Sequence, residues 1–171
     1  MVTIRTLSQR NNTLGGDIIL AAGYITLMGG FTQRDRTRCL NYWSKDIFDQ
    51  GFETNKDFDF TELFGDEAKI RRWHHNQLPT DHMSITNAII LEKSTRFSML
   101  LDPQYQGITW VKKQQQEHGD LILMHQTDEN FVKLTELAIE MGKTVIVDQV
   151  GDSLCLNLLS IMRKKINNYG G

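Results

Sequence analysis

A strand that runs through a tight loop into a helix presents free backbone N–H groups to an anion. The stretch from Arg96 to Lys113, RFSMLLDPQYQGITWVKK, has that order. Phe97 to Leu101 reads as a short apolar strand, Asp102-Pro103 opens a sharp loop, and Gln104 to Gln116 reads as a helix. On the phosphate-loop spacing G-x-x-x-x-G-K-[ST], Asp102 falls on the first glycine, Gly107 on the second, Ile108 on the lysine and Thr109 on the Ser/Thr. Pro103, Gln104 and Gln106 lie between them. The spacing is present and the chemistry is missing. Asp102 puts a negative charge where neutral backbone should wrap phosphate, and Ile108 cannot pair with the β- and γ-phosphates. The expectation is a degenerate Walker A-like loop in a nucleotide-binding fold.

The second chemical signal is TVIVDQ, Thr144 to Gln149. Four apolar or β-branched residues followed by an acid have the shape of a Walker B strand, whose aspartate helps to hold Mg²⁺. The residue after Asp148 is Gln149, an amide that cannot act as a base on an attacking water. The plainer reading is that Asp148 only ends a core strand. No catalytic residue and no resident metal are expected.

Around these residues the chain changes character. The 171 residues carry a net charge of −2, with 40% hydrophobic and 23% charged residues, an ordinary globular balance that gives no electrostatic case for nucleic acid or a membrane surface. Ile18 to Met28 is apolar but too short to span a bilayer. Cys39 and Cys155 match no metal spacing, which points to a reduced, intracellular protein. His74, His75 and His82 read as structural or solvated residues, since adjacent histidines on a helix point apart.

Residues 1–13 read as a polar, frayed lead-in, with Asp17 at the start of an apolar helix that Gly29-Gly30 ends through positive φ. That helix is apolar nearly all round, so neighbours on several sides are expected. Thr32 should cap the next helix, in which Leu40, Trp43 and Ile47 form a stripe and Arg34, Asp35, Arg36 and Arg38 a solvated face. A connector with Phe52, Phe58, Phe60 and Phe64 leads to a short helix over Asp66 to Asn76. Asp81 or Ser84 then caps a helix whose Ile85, Ala88 and Ile89 face inward.

Strands at Leu121 to His125 and Thr144 to Asp148 alternate with helices at Asp128 to Met141 and about Leu154 to Ile166. Thr127 should cap the first of these helices and Gly142 close it, with Phe131, Leu134, Ala138 and Met141 on one face. The fold class is α/β: a helical part over residues 1–95, then a partial parallel-sheet P-loop core (βαβαβα) over residues 96–171.

From about Leu14 to Met162, four segments in order resemble the fifth AAA+ module of dynein heavy chains: GDIILAAGYITLMGGFT, LPTDHMSITNAIIL, RFSMLLDPQYQGITWVKK and GKTVIVDQVGDSL. The most specific is the D-P-Q-x-Q-x-x-x-W-[IV]-K run, met by Asp102, Pro103, Gln104, Gln106, Trp110, Val111 and Lys112. Gln104 and Trp110 make it more similar to axonemal heavy chains than to the cytoplasmic one. Gly30, Gly107 and Asp148-Gln149 stand where the family usually has proline, alanine and a Glu-Asn pair.

The resemblance implies a structural module of a six-module motor ring that neither binds nor hydrolyses ATP, in a parent whose other modules hold ATP and magnesium. Implied partners are neighbouring AAA+ modules of the same heavy chain and the stalk with its buttress. Intermediate chains, light chains and microtubules would be met through the parent, in the cytoskeleton of a ciliary axoneme. The chain stops before the later strands and lid of such a module, so a fragment with an open sheet edge is expected. Two alternatives use the same residues. One is a stand-alone NTPase or nucleotide kinase with Lys112 or Lys113 reaching back to phosphate. The other is a nucleotide-binding protein without turnover, in which Gly107, Thr109 and Asp148 hold Mg²⁺–nucleotide.

Overall fold

The computed structural model describes residues 2–116, 119 and 121–163, and the side chains of residues 11–116, 119, 121–156 and 158–163 among them. Two compact units divide the chain, Met1–Ser94 and Thr95–Gly171. The first contains helices α1 (Val2–Leu27), α2 (Gln33–Asp49), α3 (Phe60–Phe64), α4 (Glu67–His75) and α5 (His82–Lys93). The second contains α6 (Gln106–Gln116), β1 (Leu121–His125), α7 (Phe131–Glu140), β2 (Thr144–Asp148) and α8 (Leu156–Met162).

The helical unit starts from side-chain caps. Thr32, Asp59, Asp66 and Asp81 each accept a backbone N–H from the first turn of α2, α3, α4 and α5, satisfying donors that have no partner within the helix. Its core is aromatic. Tyr24 of α1 stacks on Phe60 of α3 with centroids 4.6 Å apart, and Phe60 meets Phe64 at 5.3 Å. The approach of α1 to α2 depends on Gly23, where an added Cβ would come within 2.9 Å of the Trp43 ring. At Gly16 the constraint is harder still, because a Cβ would lie 2.3 Å from the Glu53 carbonyl oxygen.

Several expectations change here. α1 runs from Val2, so residues 1–13 are not a frayed lead-in as far as they are described. With the helix extended back, Asp17 sits inside it and accepts the Asn55 N–H at 2.8 Å from the connector. Within this unit α1 buries Leu20, Ala21 and Tyr24, and Met28 just beyond it, while Leu14, Ile18, Ile19 and Leu27 stay exposed; it is covered on one side, not several. The helix stops before Gly29-Gly30, yet neither glycine has positive φ; the turn closes through the Phe31 N–H on the Met28 carbonyl.

The largest correction is Arg36. Among charges read as solvated, it is fully buried at 0% exposure. Its guanidinium donates to the carbonyls of Gly29 (3.0 Å) and Phe31 (3.0 Å), to Thr86 Oγ1 (3.2 Å) and to Asn87 Oδ1 (2.7 Å). It also lies 5.6 Å from the Tyr24 ring centroid. No carboxylate faces it among the described residues. Its counter-charge is the carbonyl-rich end of α1, where the helix dipole is negative, and the Tyr24 ring face adds a cation–π contact.

In the second unit β1 and β2 pair in parallel, Leu121 opposite Thr144 through His125 opposite Asp148. The expected strand at Phe97–Leu101 does not form. Those residues join no ladder among the described residues, and Phe97, Met99, Leu100 and Leu101 are exposed. β-propensity is expressed only against a neighbouring strand, and among the described residues the sheet has two strands.

Helix α7 begins at Phe131, not at Asp128, and Thr127 does not cap it. Asp128 instead accepts the His125 N–H at 2.8 Å on its carboxylate and the Phe131 N–H at 3.0 Å on its carbonyl, so a turn comes first. The buried face of α7 is Phe131, Thr135 and Ala138, whereas Leu134 and Met141 are exposed. Gly142, with φ of 64°, closes the helix as expected. The last expected helix is present as α8; its expected extension to Ile166 and the NNYGG tail lie outside the described residues.

Candidate functional site: a loop filled by its own carboxylate

The loop between residues 102 and 109 is built around Asp102. One carboxylate oxygen accepts the Gln106 N–H at 3.1 Å and the other accepts the Ile108 N–H at 2.8 Å. The Asp102 carbonyl accepts the Tyr105 N–H at 3.1 Å, which folds Pro103 and Gln104 into a turn. Tyr105 takes the left-handed conformation, φ 59°, and its carbonyl then accepts the Thr109 N–H at 3.2 Å and hydroxyl at 2.5 Å. Gly107 passes close over the carboxylate, and an added Cβ there would lie 3.4 Å from an Asp102 oxygen.

The first N–H groups of a helix following a strand-like segment are the donors a phosphate would use. Here a side chain supplies the anion. Asp102 therefore meets both the hydrogen-bond demand and the positive dipole of the α6 start. Ile108, at the position of the lysine, brings no cation. The Thr109 hydroxyl is turned onto backbone.

The second candidate pair is at the end of β2. Asp148 Oδ1 accepts the N–H of Gln149 at 2.8 Å, and its carbonyl lies 3.3 Å from His125 Nδ1. Gln149 has φ of 50°, a conformation that non-glycine residues rarely adopt. Among the described residues no hydrogen bond joins Asp102 or Thr109 to Asp148 or Gln149, and no group of three or more His, Cys, Asp or Glu side chains could hold a metal ion.

A residue that the sequence reading passed over holds this end of the sheet together. Gln126, just beyond β1, donates from its amide to the carbonyls of Val150 and Ser153 (3.0 Å for the latter) and accepts the Cys155 N–H at 3.3 Å. It thereby ties the loop after β2 to the end of β1. Its signal was positional: loops gather at the carboxyl ends of parallel strands, and an amide side chain there can bond both donors and acceptors.

Known proteins similar to this chain fall in one family. Residues 71–171, more than half of it, match the family described as the ATP-binding dynein motor region. Dynein axonemal heavy chain 3 of Homo sapiens is 31% identical over 160 residues, 94% of this chain and 4% of the relative. The protein of the same name from Mus musculus is 35% identical over 150 residues, 88% of this chain and 4% of the relative. The dynein alpha chain of the flagellar outer arm of Chlamydomonas reinhardtii is 29% identical over 154 residues, 90% of this chain and 3% of the relative. The chain thus spans about one twenty-fifth of the length of the first two relatives. It belongs to the ATP-binding dynein motor region family.

Proposed function

We propose that this chain is a structural, non-hydrolysing AAA+ module, the fifth in the motor ring of an axonemal-type dynein heavy chain. The observation that carries the reading is the Asp102 carboxylate on the Gln106 and Ile108 N–H groups. An incoming phosphate would have to displace it and then sit beside its charge. Ile108 offers no compensating cation, and Gln149 supplies no base. Asp102, Pro103, Gln104, Gln106, Gly107, Ile108 and Thr109 are then a degenerate Walker A-like loop, and Asp148-Gln149 a degenerate Walker B-like pair. ATP and magnesium would belong to other modules of the parent motor. This module would pass rigid-body motion between its neighbours and the stalk buttress. Intermediate chains, light chains and microtubules are partners of the parent, whose place is the ciliary axoneme.

The test is titration of the full chain with a fluorescent ATP analogue and magnesium, alongside a phosphate-release assay. The expected result is no saturable binding in the micromolar range and no release. Saturable micromolar binding by the natural chain would overturn the reading, and phosphate release would favour the small-NTPase alternative. Ile108→Lys alone should leave binding absent, because Asp102 still fills the loop.

A further inference from the structure

We draw no further inference here: the strongest candidate, the cavity of about 160 Å³ that Asp17, Asp59 and Glu62 line between α1, the connector after α2 and α3, is an acidic cluster in which Asp17 already accepts the Asn55 N–H and Asp59 caps α3, and nothing else among the described residues points to a ligand there.

Discussion

Replacing Arg36 by methionine should be among the most destabilising single changes available in the helical unit. The guanidinium makes four hydrogen bonds, to two carbonyls, a hydroxyl and a side-chain amide oxygen. At ~1.5–3 kcal/mol for each bond from a charged donor, the gross loss would be large, but removal also refunds the several kcal/mol spent on burying the cation. Its removal leaves the buried Thr86 hydroxyl and three part-buried acceptors without this donor, and about 3 kcal/mol net is expected. Methionine keeps the apolar stem, so lost packing is a minor part of the change. Arg36→Lys keeps the charge but loses the planar fork that reaches four acceptors, and about 2 kcal/mol is expected. Urea unfolding of the full chain, followed by circular dichroism and tryptophan fluorescence, measures both. A loss below about 1 kcal/mol for Arg36→Met would refute the claim that these acceptors depend on the guanidinium.

Acid should weaken the helical unit through its caps. Burial alone would raise the Asp59 carboxyl, but the Thr61 hydroxyl and N–H and the nearby His82 outweigh it and hold the group below 3.8. At Asp81 burial is likewise outweighed, by the Ser84 hydroxyl and N–H. Groups lowered on folding stabilise fully above their unfolded value, and this stabilisation is lost as pH falls through the folded one. Unfolding midpoints should therefore be flat above about pH 5 and fall below about pH 4, with Asp59→Asn and Asp81→Asn each flattening the acid limb. Gln126→Ala should cost about 1–3 kcal/mol by freeing the Val150 and Ser153 carbonyls and the Cys155 N–H; hydrogen exchange at Cys155 should rise while that of β1 stays slow. Gly23→Val should cost about 1–3 kcal/mol, since its added bulk meets the Trp43 ring; a neutral result would mean that α1 and α2 can separate without penalty.

Local chemistry was the legible part of this chain. Thr32 and Asp81 lie immediately before apolar-periodic runs and cap helices as that pattern demands. β1 and β2 are short β-branched or apolar runs bounded by turn residues, and both form. Local signals also failed, at Thr127 and at Gly29-Gly30, but the two largest failures depended on distant partners. Phe97–Leu101 has the composition of a strand, but a strand exists only where another offers its edge, and composition does not reveal that edge. Arg36 sits among three other charged residues in sequence, and nothing local distinguishes it; its burial follows from Gly29, Phe31, Thr86 and Asn87 converging on it in space. The loop residues share one spacing in the sequence, and the structure gathers the Gln106 and Ile108 N–H groups on Asp102. That Asp102 would occupy the anion position itself was not read from spacing, because it depends on the Tyr105 backbone turning to φ 59°.

Asp102 explains why spacing and chemistry part company in this loop. A helix start that follows a tight turn needs acceptors for its first N–H groups, whether or not a nucleotide is available. In a loop that binds triphosphate, the ligand meets that need, and the residues around it must stay neutral. Here the Asp102 carboxylate accepts the Gln106 and Ile108 N–H groups itself, and on the proposed reading that geometry serves the fold. Displacing the carboxylate breaks two charge-assisted hydrogen bonds, and even about 3 kcal/mol for the pair would weaken a micromolar ligand about 150-fold, before any repulsion between phosphate and Asp102. Asp148 follows the same logic on a smaller scale, since its carboxylate closes on the N–H of Gln149. Asp102→Gly together with Ile108→Lys removes the internal anion and adds the missing cation. Phosphate binding that appears in the double variant and in neither single one would locate the block in those two side chains. Binding already present in Ile108→Lys would show that Asp102 yields its place cheaply, and the account of the loop would fail.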